Sequence, residues 1–451
     1  MDAAAGTQQV PRGVLVLLVV LNAAFIAHHF ISSSLQYEGG GSWALQAAKE
    51  AEAVAAIACS GHGQVFQDGV AGEGGRPVCE CNRCFGGPDC SLRIPNCTAD
   101  ADRYVIVQFP PKLRKFSFLI TKLRRPIVYL VFGTGSTQLI NALVHALSSS
   151  LSPDATSPPV TVVATAPYYP QYRSQTTMFG GRRYRWGGNT ALWANATARM
   201  SFIEFVTSPN NPDTLLQKPI LGGASAIVDH AYYWPHITHI PAPADEDVML
   251  FTMSKLSGHA GSRFGWALIR DKNVAKRAYE YVQNSSLGAS QDTQLRMLKI
   301  VKVILANLRG EEDMLAFGHD VLRTRWRRLS DIVSRSRRIS LQEIHPQYCT
   351  YFNRHSFFSH QSMPEHVYNY VLVIVLTAYA WVKCEREEDE DCYQALLRAN
   401  IITRSGVGNE ASSRYTRMSL LKSDDDFDVL MERITDLVDA DKCDAPRVIS
   451  M

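Results

Sequence analysis

One lysine stands in a plain setting within the stretch FTMSKLSGHAGSRFGW, which covers residues 251–266. Lys255 follows Ser254, and glycines and other small residues separate it from Arg263. A lysine amine can form a Schiff base with an aldehyde, and a guanidinium group matches the geometry of a phosphate. Taken alone, a lysine in a Gly- and Ser-rich loop is more often a solvated surface residue. Its chemistry therefore depends on which other residues the fold brings to it.

Five short apolar runs precede the other polar candidates along the chain. With the polar or turn residues that end them, they begin the stretches IVYLVFGTGSTQ at 127–138, PVTVVATAPYYP at 159–170, SFIEFVTSPNNP at 201–212, SAIVDHAYYW at 225–234 and DVMLFTMSK at 247–255. Nearly all-apolar strands separated by helix-sized spacers are typical of an α/β fold with a mostly parallel sheet that is covered on both faces. Ligands of such sheets bind beyond the carboxyl ends of the strands. The residues that follow each run are therefore the candidates for a site.

Those residues supply the contacts that pyridoxal 5′-phosphate requires. Its aldehyde needs an amine, Lys255, and its ring nitrogen needs a carboxylate that keeps it protonated, Asp229. Its phenolic oxygen needs hydrogen-bond donors, Asn211 and Tyr232, and its phosphate needs a helix N-terminus and a guanidinium group. Each signal alone is weak, but together they predict one cofactor site. The remaining predicted cofactor contacts are Ser136 and Thr137 in the turn GTGSTQ, the small neighbour Ser254, and Arg263.

Several longer motifs resemble the plant alliinase and tryptophan aminotransferase-related family. They are CECNRCFGGPDC, GTGSTQLINALVHAL, APYYPQYRSQT, TSPNNP, DHAYYWPHIT, LFTMSKLSGHAGSRFGWALIRD, AYAWVKCEREEDEDC and RYTRMSLLKSDDDFD. The resemblance covers most of residues 59–97 and 131–451, and it implies a pyridoxal-phosphate enzyme of fold type I, usually a homodimer. It also implies that Lys255 is the catalytic lysine, that Arg417 binds the substrate carboxylate, and that Tyr168, with Tyr169, lies near the cofactor.

Six of the ten cysteines fall within 39 residues, between Cys59 and Cys97, among glycines and prolines. Such a segment buries too little apolar surface to hold itself together, so disulfides are favoured, with zinc ligation as the alternative. The family resemblance implies an EGF-like module, disulfide bridges and no metal. Its pattern implies the pairs Cys59–Cys79, Cys81–Cys90, Cys84–Cys97 and, near the C-terminus, Cys384–Cys392.

The N-terminal segment 1–31 contains an apolar run of fifteen residues, from Gly13 to Ala27. This length predicts a signal peptide or a short signal anchor, and therefore entry into the secretory pathway, with anchoring in the endoplasmic reticulum membrane or a vacuolar or extracellular location. Sequons at Asn96, Asn195 and Asn284 are compatible with glycosylation. The formal net charge is only +3, and no basic block is interleaved with aromatic residues, which argues against a nucleic-acid partner.

The domain organisation follows from these segments. The EGF-like module spans 59–97, a large cofactor-binding domain spans 98–335, and a smaller C-terminal α+β domain spans 336–451. Helical spacing of apolar residues predicts a helix after the GTGSTQ turn and three more in NVAKRAYEYVQ, LRMLKIVKVILANL and DVLRTRWRRLSDIVSRS.

Two reactions are compatible with this set of residues. Both start with removal of the substrate α-proton by the lysine amine, after which the chemistry leads either to transamination or to loss of a group from Cβ. The apolar N-terminus together with the EGF-like module favours the membrane-anchored aminotransferase-related branch. We therefore expect an aminotransferase that acts on a tryptophan-like L-amino acid with a 2-oxo acid acceptor, as in auxin biosynthesis. A C–S lyase of cysteine sulfoxides is the alternative.

The chain departs from the family pattern at three places. Residues 98–130 are shorter than the corresponding family segment and lack its Gly-Asp-Pro and Gly-Trp motifs, so a part of the substrate pocket is expected to be missing. Residues 353–377 replace a short link. Asp213 and Thr214 follow SPNNP where a glycine is usual. These departures add a third possibility, a catalytically impaired family member with a binding role.

Overall fold

The computed structural model of the 451-residue chain describes residues 53–54, 56–65, 79–81, 84–95, 129–152, 157–195, 200–308, 310, 313–344 and 378–443. The chain forms two compact units, Met1–Val107 and Gln108–Met451. The apolar segment 13–27, the segment 353–377 and most of residues 98–130 lie outside the described residues. Among the described residues, no helix is both long and apolar enough to cross a membrane.

The N-terminal unit contains two small antiparallel pairs of strands. Strand β1 (Gly63–Val65) pairs with β2 (Cys79–Cys81), and β3 (Phe85–Gly86) pairs with β4 (Leu92–Arg93). Its disulfides Cys59–Cys79 and Cys81–Cys90 are the pairs that the resemblance implied. Cys84 is also disulfide-bonded, and Cys97 lies outside the described residues. Because Cys59 and Cys90 are the buried centre of this unit, the bridges take the place of an apolar core.

The second unit is built on a seven-stranded sheet of order β5-β11-β10-β9-β8-β6-β7. Only β11 is antiparallel to its two neighbours. The strands are β5 (Tyr129–Gly133), β6 (Val160–Ala164), β7 (Tyr184–Asn189), β8 (Phe202–Thr207), β9 (Ser225–Asp229), β10 (Val248–Thr252) and β11 (Gly265–Ile269). Strands β6, β8, β10 and β11 are buried along their whole length, since both faces of the sheet are covered.

The helices begin and end where the local sequence directs them. Asp271 caps α4 and Asp313 caps α6 by accepting backbone N–H bonds of the first turn. Helix α1 buries Leu139, Ile140 and Leu143 against the sheet, as the helical spacing predicted. The helices around the sheet are α1 (Ser136–Leu151), α2 (Gln171–Phe179), α3 (Met253–Leu256), α4 (Lys272–Ser286), α5 (Gln291–Asn307) and α6 (Met314–Val333).

A second sheet of four antiparallel strands, of order β12-β13-β15-β14, lies in the C-terminal part of the same unit. Its strands are β12 (Ile339–Leu341), β13 (Tyr379–Cys384), β14 (Arg404–Ser405) and β15 (Tyr415–Ser419), and helices α7 (Cys392–Arg398) and α8 (Asp424–Cys443) belong to this part. The disulfide Cys384–Cys392 links β13 to α7. This sheet shares one apolar core with Met253 and Leu256 of helix α3. The C-terminal sheet and the helix that carries Lys255 therefore belong to the same packed core.

The five predicted strands and four predicted helices are confirmed. Two strands of the seven-stranded sheet lie outside the predicted set. Strand β7 (YRWGGN) is polar and partly exposed because it is the edge strand of the sheet. Strand β11 (GWALI) begins inside the 251–266 stretch and is buried throughout, because it pairs with a strand on each side. The boundaries 98–335 and 336–451 remain predictions.

Candidate active site

Lys255 lies on the short helix α3, directly after strand β10. Thr252 caps this helix by accepting a bond from the Ser254 backbone N–H (3.2 Å), and its own hydroxyl lies 3.1 Å from the Ser254 hydroxyl. The Lys255 Nζ lies 5.4 Å from the centre of the Tyr232 ring. Within the described part of the chain, no hydrogen bond or ion pair engages this amine. It is therefore available to react.

Asp229 ends strand β9, beside the strand that leads to Lys255. The two strands run parallel with Asp229 opposite Leu250, and the positive charge of Lys255 acts on the carboxylate. One oxygen, Oδ1, accepts the Ala231 backbone N–H at 3.0 Å. Burial raises the pKa of Asp229 above its ordinary value, while hydrogen bonds and the nearby positive charges oppose the rise. The lysine and the carboxylate thus lie at the same edge of the sheet, at the carboxyl ends of two parallel strands.

Tyr172, on helix α2, was not among the predicted site residues. Its hydroxyl donates to Asp229 Oδ2 at 2.7 Å and lies 2.7 Å from the Thr207 hydroxyl, and its ring stacks on Phe205 with 4.1 Å between ring centres. Burial and the charge of Asp229 raise the pKa of Tyr172 well above 10, so the hydroxyl keeps its proton and remains a donor. Tyr172 therefore fixes the direction of the carboxylate.

The amino end of helix α1 forms the second part of the site. Ser136 and Thr137 open the helix, no side chain caps it, and no acidic residue lies in its first turn. An Arg263 Nη2 donates to the Thr137 hydroxyl at 3.3 Å. Free backbone N–H groups, the positive end of the helix dipole and a guanidinium group together make an anion site.

Two glycines permit this approach. Gly135 has φ +80°, and a Cβ at this position would lie 2.4 Å from Nη2 of Arg263. A Cβ on Gly265 would lie 2.5 Å from the backbone nitrogen of Ser136. Arg263 can approach the helix end because Gly135 lacks a side chain. The start of the helix can lie against strand β11 because Gly265 lacks one.

Tyr232 connects the large sheet to the C-terminal sheet. Its hydroxyl lies 2.8 Å from the hydroxyl of Tyr379 on β13, and the two rings meet edge to face. Burial, followed by the neighbouring Tyr379, raises the pKa of Tyr232 well above 10. Tyr379 was not predicted, because nothing in its own strand distinguishes it from a core aromatic residue.

Asn211 and Arg417, predicted for different ligands, meet each other. Arg417 Nη1 donates to Asn211 Oδ1 at 2.5 Å, and the guanidinium lies over the Tyr379 ring, 4.1 Å from its centre. The Nε of Arg417 is buried and has no hydrogen-bond partner among the residues that the structure describes. A part-buried guanidinium group whose Nε is an unused donor is suited to an anionic ligand such as a carboxylate.

The two tyrosines of APYYP face different surroundings. Tyr168 is buried, its ring meets Trp186 edge to face, and its backbone bonds to Asn409. Tyr169, in contrast, has a pKa raised by burial and by the charge of Asp229, and it also interacts with Arg263 and Tyr379. The structure therefore brings Tyr169, rather than Tyr168, to the residues around the lysine.

The loop after SPNNP adopts an unusual backbone conformation. Thr214 has φ +64°, in the left-handed region that β-branched residues disfavour. It belongs to the pair Asp213 and Thr214, where the resemblance implies a glycine. Asp213 accepts bonds from Asn210 and from the Leu215 backbone, and Thr214 N–H donates to Asn210. The substitution is accommodated by this hydrogen-bonded turn, which keeps Asn211 in the site.

His236 contacts the backbone of Lys255. Its Nε2 lies 3.3 Å from the carbonyl oxygen of Lys255, and its Nδ1 is buried with no hydrogen-bond partner in the described part of the chain. Burial lowers the pKa of His236 to about 4, so the ring is neutral at physiological pH. A neutral ring can donate to the Lys255 carbonyl without placing a second positive charge near the amine.

The residues present fit pyridoxal 5′-phosphate. An unengaged amine, a buried carboxylate and an anion-binding helix end lie around one region, and side chains at two glycine positions would close it. The residues that would hold the cofactor are Lys255, Asp229, Asn211, Tyr232, Ser136, Thr137, Ser254 and Arg263. The described residues contain no group of three potential metal ligands.

This sheet order and this arrangement define a fold-type I pyridoxal-phosphate-dependent protein. Among solved structures, N-succinyldiaminopimelate aminotransferase from Mycobacterium tuberculosis is similar in fold, with a TM-score of 0.53 and 15% identity, over 73% of this chain and 86% of that one. The fold class expected from the sequence is confirmed.

Sequence comparison identifies the family. The allinase family profile matches residues 103–438, and the alliinase EGF-like domain matches residues 42–97. Alliin lyase 2 of Allium sativum is 40% identical over 94% of this chain and 95% of its own length. Alliin lyase of Allium cepa is 40% identical (96% and 94%), and tryptophan aminotransferase-related protein 4 of Arabidopsis thaliana is 35% identical (94% and 96%). The chain belongs to the alliinase family, which depends on pyridoxal 5′-phosphate.

Proposed function

We propose that this protein removes the α-proton of an L-amino acid, with Lys255 as the base. The observation that carries the proposal is the Lys255 amine, which has no hydrogen-bond or ion-pair partner among the described residues. It lies beside Tyr232, at the same edge of the sheet as Asp229. Bound pyridoxal phosphate supplies an electron sink that acidifies the α-carbon of the amino acid. Lys255 then accepts the proton, since a neutral amine within reach of that carbon is a competent base.

The other residues position the reactants. Asp229 keeps a positive charge on the ring nitrogen, and it can do so while buried because Tyr172 and the Ala231 N–H stabilise the carboxylate. Arg263 and the amino end of helix α1 hold the phosphate. Asn211 and Tyr232 donate to the phenolic oxygen.

Arg417 binds the substrate carboxylate. Its guanidinium lies over the ring of Tyr379, and none of the described residues pairs with its buried Nε. A carboxylate that accepts from this group replaces the present contact of Nη1 with Asn211 or shares it. Substrate binding then places the α-carbon on the side of the site where the lysine lies.

Cleavage of a C–S bond is the reaction that we put first. Two alliin lyases of Allium match this chain at 40% identity over at least 94% of its length, including the EGF-like module. In such a reaction, Lys255 takes the α-proton of a cysteine sulfoxide and the electron pair released expels the sulfur group from Cβ. This order reverses the expectation drawn from the sequence.

Transamination is the second candidate. It is favoured by tryptophan aminotransferase-related proteins 4 and 3 of Arabidopsis thaliana, each of which is 35% identical over more than nine-tenths of this chain. The same lysine would then return the proton to a different carbon, and a 2-oxo acid would accept the amino group. The residues of the site serve both reactions equally.

The two reactions separate in one assay. Purified protein is incubated with S-methyl-L-cysteine sulfoxide alone, and separately with L-tryptophan and pyruvate. We expect pyruvate to be released from the sulfoxide without an added acceptor. Formation of the indole 2-oxo acid, with no pyruvate from the sulfoxide, would reverse the order. A folded protein that neither binds the cofactor nor turns over either amino acid would favour the third possibility, a binding role.

We further propose that the protein enters the secretory pathway and works as a homodimer. The secretory location is supported by the disulfides of the N-terminal unit, which form in oxidising compartments. Dimerisation is supported by the fold class. Gel filtration with light scattering tests the second point, with twice the chain mass expected.

A further inference from the structure

Tyr379 contacts residues with two different proposed tasks. Its hydroxyl lies 2.8 Å from the hydroxyl of Tyr232, the proposed donor to the cofactor. The guanidinium of Arg417, which we propose binds the substrate carboxylate, lies over its ring, 4.1 Å from the ring centre. Tyr379 is only 5% exposed and begins strand β13, which is paired with the strand that carries Arg417.

The donor in the hydrogen bond between the two hydroxyls is fixed once Tyr232 is assigned as the donor to the cofactor. Each phenol has a single proton, so Tyr232 cannot donate to Tyr379 and to the cofactor at the same time. When Tyr232 donates to the phenolic oxygen, Tyr379 must donate to Tyr232. A phenol that accepts one hydrogen bond becomes a stronger donor in the next.

The ring has a separate effect. Arg417 is part-buried, and the face of an aromatic ring attracts a guanidinium group electrostatically while restricting its movement. Asn211 holds the same guanidinium through Nη1, so the ring and the amide together define its plane. A fixed plane favours paired hydrogen bonds to a carboxylate.

We propose that Tyr379 is a positioning residue that couples the two halves of the site: its hydroxyl supports Tyr232 against the cofactor, and its ring holds Arg417 against the substrate carboxylate. This inference rests on the proposed function. Tyr379 lies in the C-terminal sheet, whereas Tyr232 and Asn211 follow strands of the large sheet. One side chain of the C-terminal sheet thereby contacts both Tyr232 and Arg417, so the packing of the two sheets determines the positions of these two site residues.

The two contacts can be separated by substitution. Tyr379→Phe removes the hydroxyl and keeps the ring, whereas Tyr379→Leu removes both. Tyr415→Phe is the matched control, because Tyr415 lies on the adjacent strand β15 and stacks on Trp381 instead. The first measurement is the absorption of the bound cofactor as a function of pH, and the second is the KM for whichever test amino acid the wild type turns over.

The hydroxyl contact determines the spectral result. A hydrogen bond to the phenolic oxygen stabilises the deprotonated form of the bound cofactor, so weakening Tyr232 as a donor should raise the pH midpoint of the absorption change. The charged and titratable groups around Tyr232 are Tyr379, Arg417, Tyr169 and the Lys255 amine, which lies 5.4 Å from the ring centre. Tyr379→Phe leaves the other three in place. We expect a rise of about half a pH unit or more in Tyr379→Phe and none in Tyr415→Phe.

The ring contact determines the kinetic result. Tyr379→Phe should keep a KM near that of the wild type, and Tyr379→Leu should raise it about tenfold, since Arg417 loses its aromatic support. An unshifted midpoint in a Tyr379→Phe protein that binds cofactor would overturn the hydroxyl role, and equal KM values for Phe and Leu variants would overturn the ring role. If the wild type itself shows no cofactor absorption, the proposed function fails first and this inference with it.

Discussion

The Tyr172 hydroxyl donates to the Asp229 carboxylate across 2.7 Å, inside a fully buried pair that joins helix α2 to the end of strand β9. An isolated carboxylate at this depth would take up a proton and lose the charge that the cofactor ring requires. The contact shows how the protein keeps a buried acid fit for its proposed task.

Removing this hydrogen bond should weaken cofactor binding. A hydrogen bond to a charged group contributes about 1.5–3 kcal/mol, so Tyr172→Phe should lower affinity for pyridoxal phosphate by roughly tenfold or more. Titration of cofactor-free protein, followed by absorption, measures this change. Tyr184→Phe is the control, because Tyr184 donates to Asn141, away from the carboxylate. Equal affinities in the two variants would show that Tyr172 does not support Asp229.

A methyl group at Gly135 should disturb the phosphate contacts. Its Cβ would overlap the end of the Arg263 side chain, which can move away, so the fold should persist while cofactor affinity falls about tenfold. Gly223→Ala is a matched control, since Gly223 has φ +79° and open space around its Cβ position. Both variants should lose about 1 kcal/mol of stability from backbone strain, measured by urea unfolding, but only Gly135→Ala should lose affinity.

Thr214 should be replaceable by glycine with a gain in stability. Its left-handed conformation costs about 1–3 kcal/mol in a non-glycine residue, of which the greater freedom of unfolded glycine cancels about 1 kcal/mol. Thr214→Gly should therefore raise the free energy of unfolding by about 1 kcal/mol, and the protein should unfold at a higher urea concentration. Thr214→Val keeps the β-branch and should show no gain, and a gain of equal size in both variants would exclude backbone strain as the cause.

His236 should make stability depend on pH. Its folded-state pKa of about 4 lies below the ordinary value of 6.5, so the unfolded chain binds the extra proton as pH falls. The contribution is present above pH 6.5 and is lost between about 6.5 and 4. From pH 7 to 5, the wild type should lose about 2 kcal/mol more than His236→Gln. Equal losses, measured by urea unfolding, would contradict the buried neutral ring.

The sequence predicted the parts of this molecule that have local signals. Strand β9 and strand β10 are apolar runs ending in Asp229 and Thr252, so their identity and the position of the site at their ends could be predicted. Strand β7 could not be predicted, since an edge strand with two glycines and an arginine lacks an apolar pattern. A short polar strand such as β7 forms because the adjacent strand pairs with it, and its own sequence does not show this pairing.

The missed site residues share a physical reason. Tyr172 reaches Asp229 across 57 positions of sequence, and Tyr379 reaches Tyr232 across 147. Each looks like a core aromatic residue in its own segment, and only the packing of distant elements gives its hydroxyl a partner. A tyrosine two residues beyond APYYP was the available signal for Tyr172, but a phenylalanine would have satisfied the same apolar pattern.

The central claim is that Lys255 binds the cofactor covalently through its amine. Purified protein is loaded with pyridoxal phosphate, reduced with borohydride, digested and analysed by mass spectrometry, and Lys276→Ala, which removes an exposed lysine of helix α4, serves as the control. We predict that the added pyridoxyl mass lies on the peptide containing Lys255 in the wild type and in Lys276→Ala, and that Lys255→Ala acquires none there. Modification of a different lysine, with the 251–266 peptide unmodified, would contradict the account.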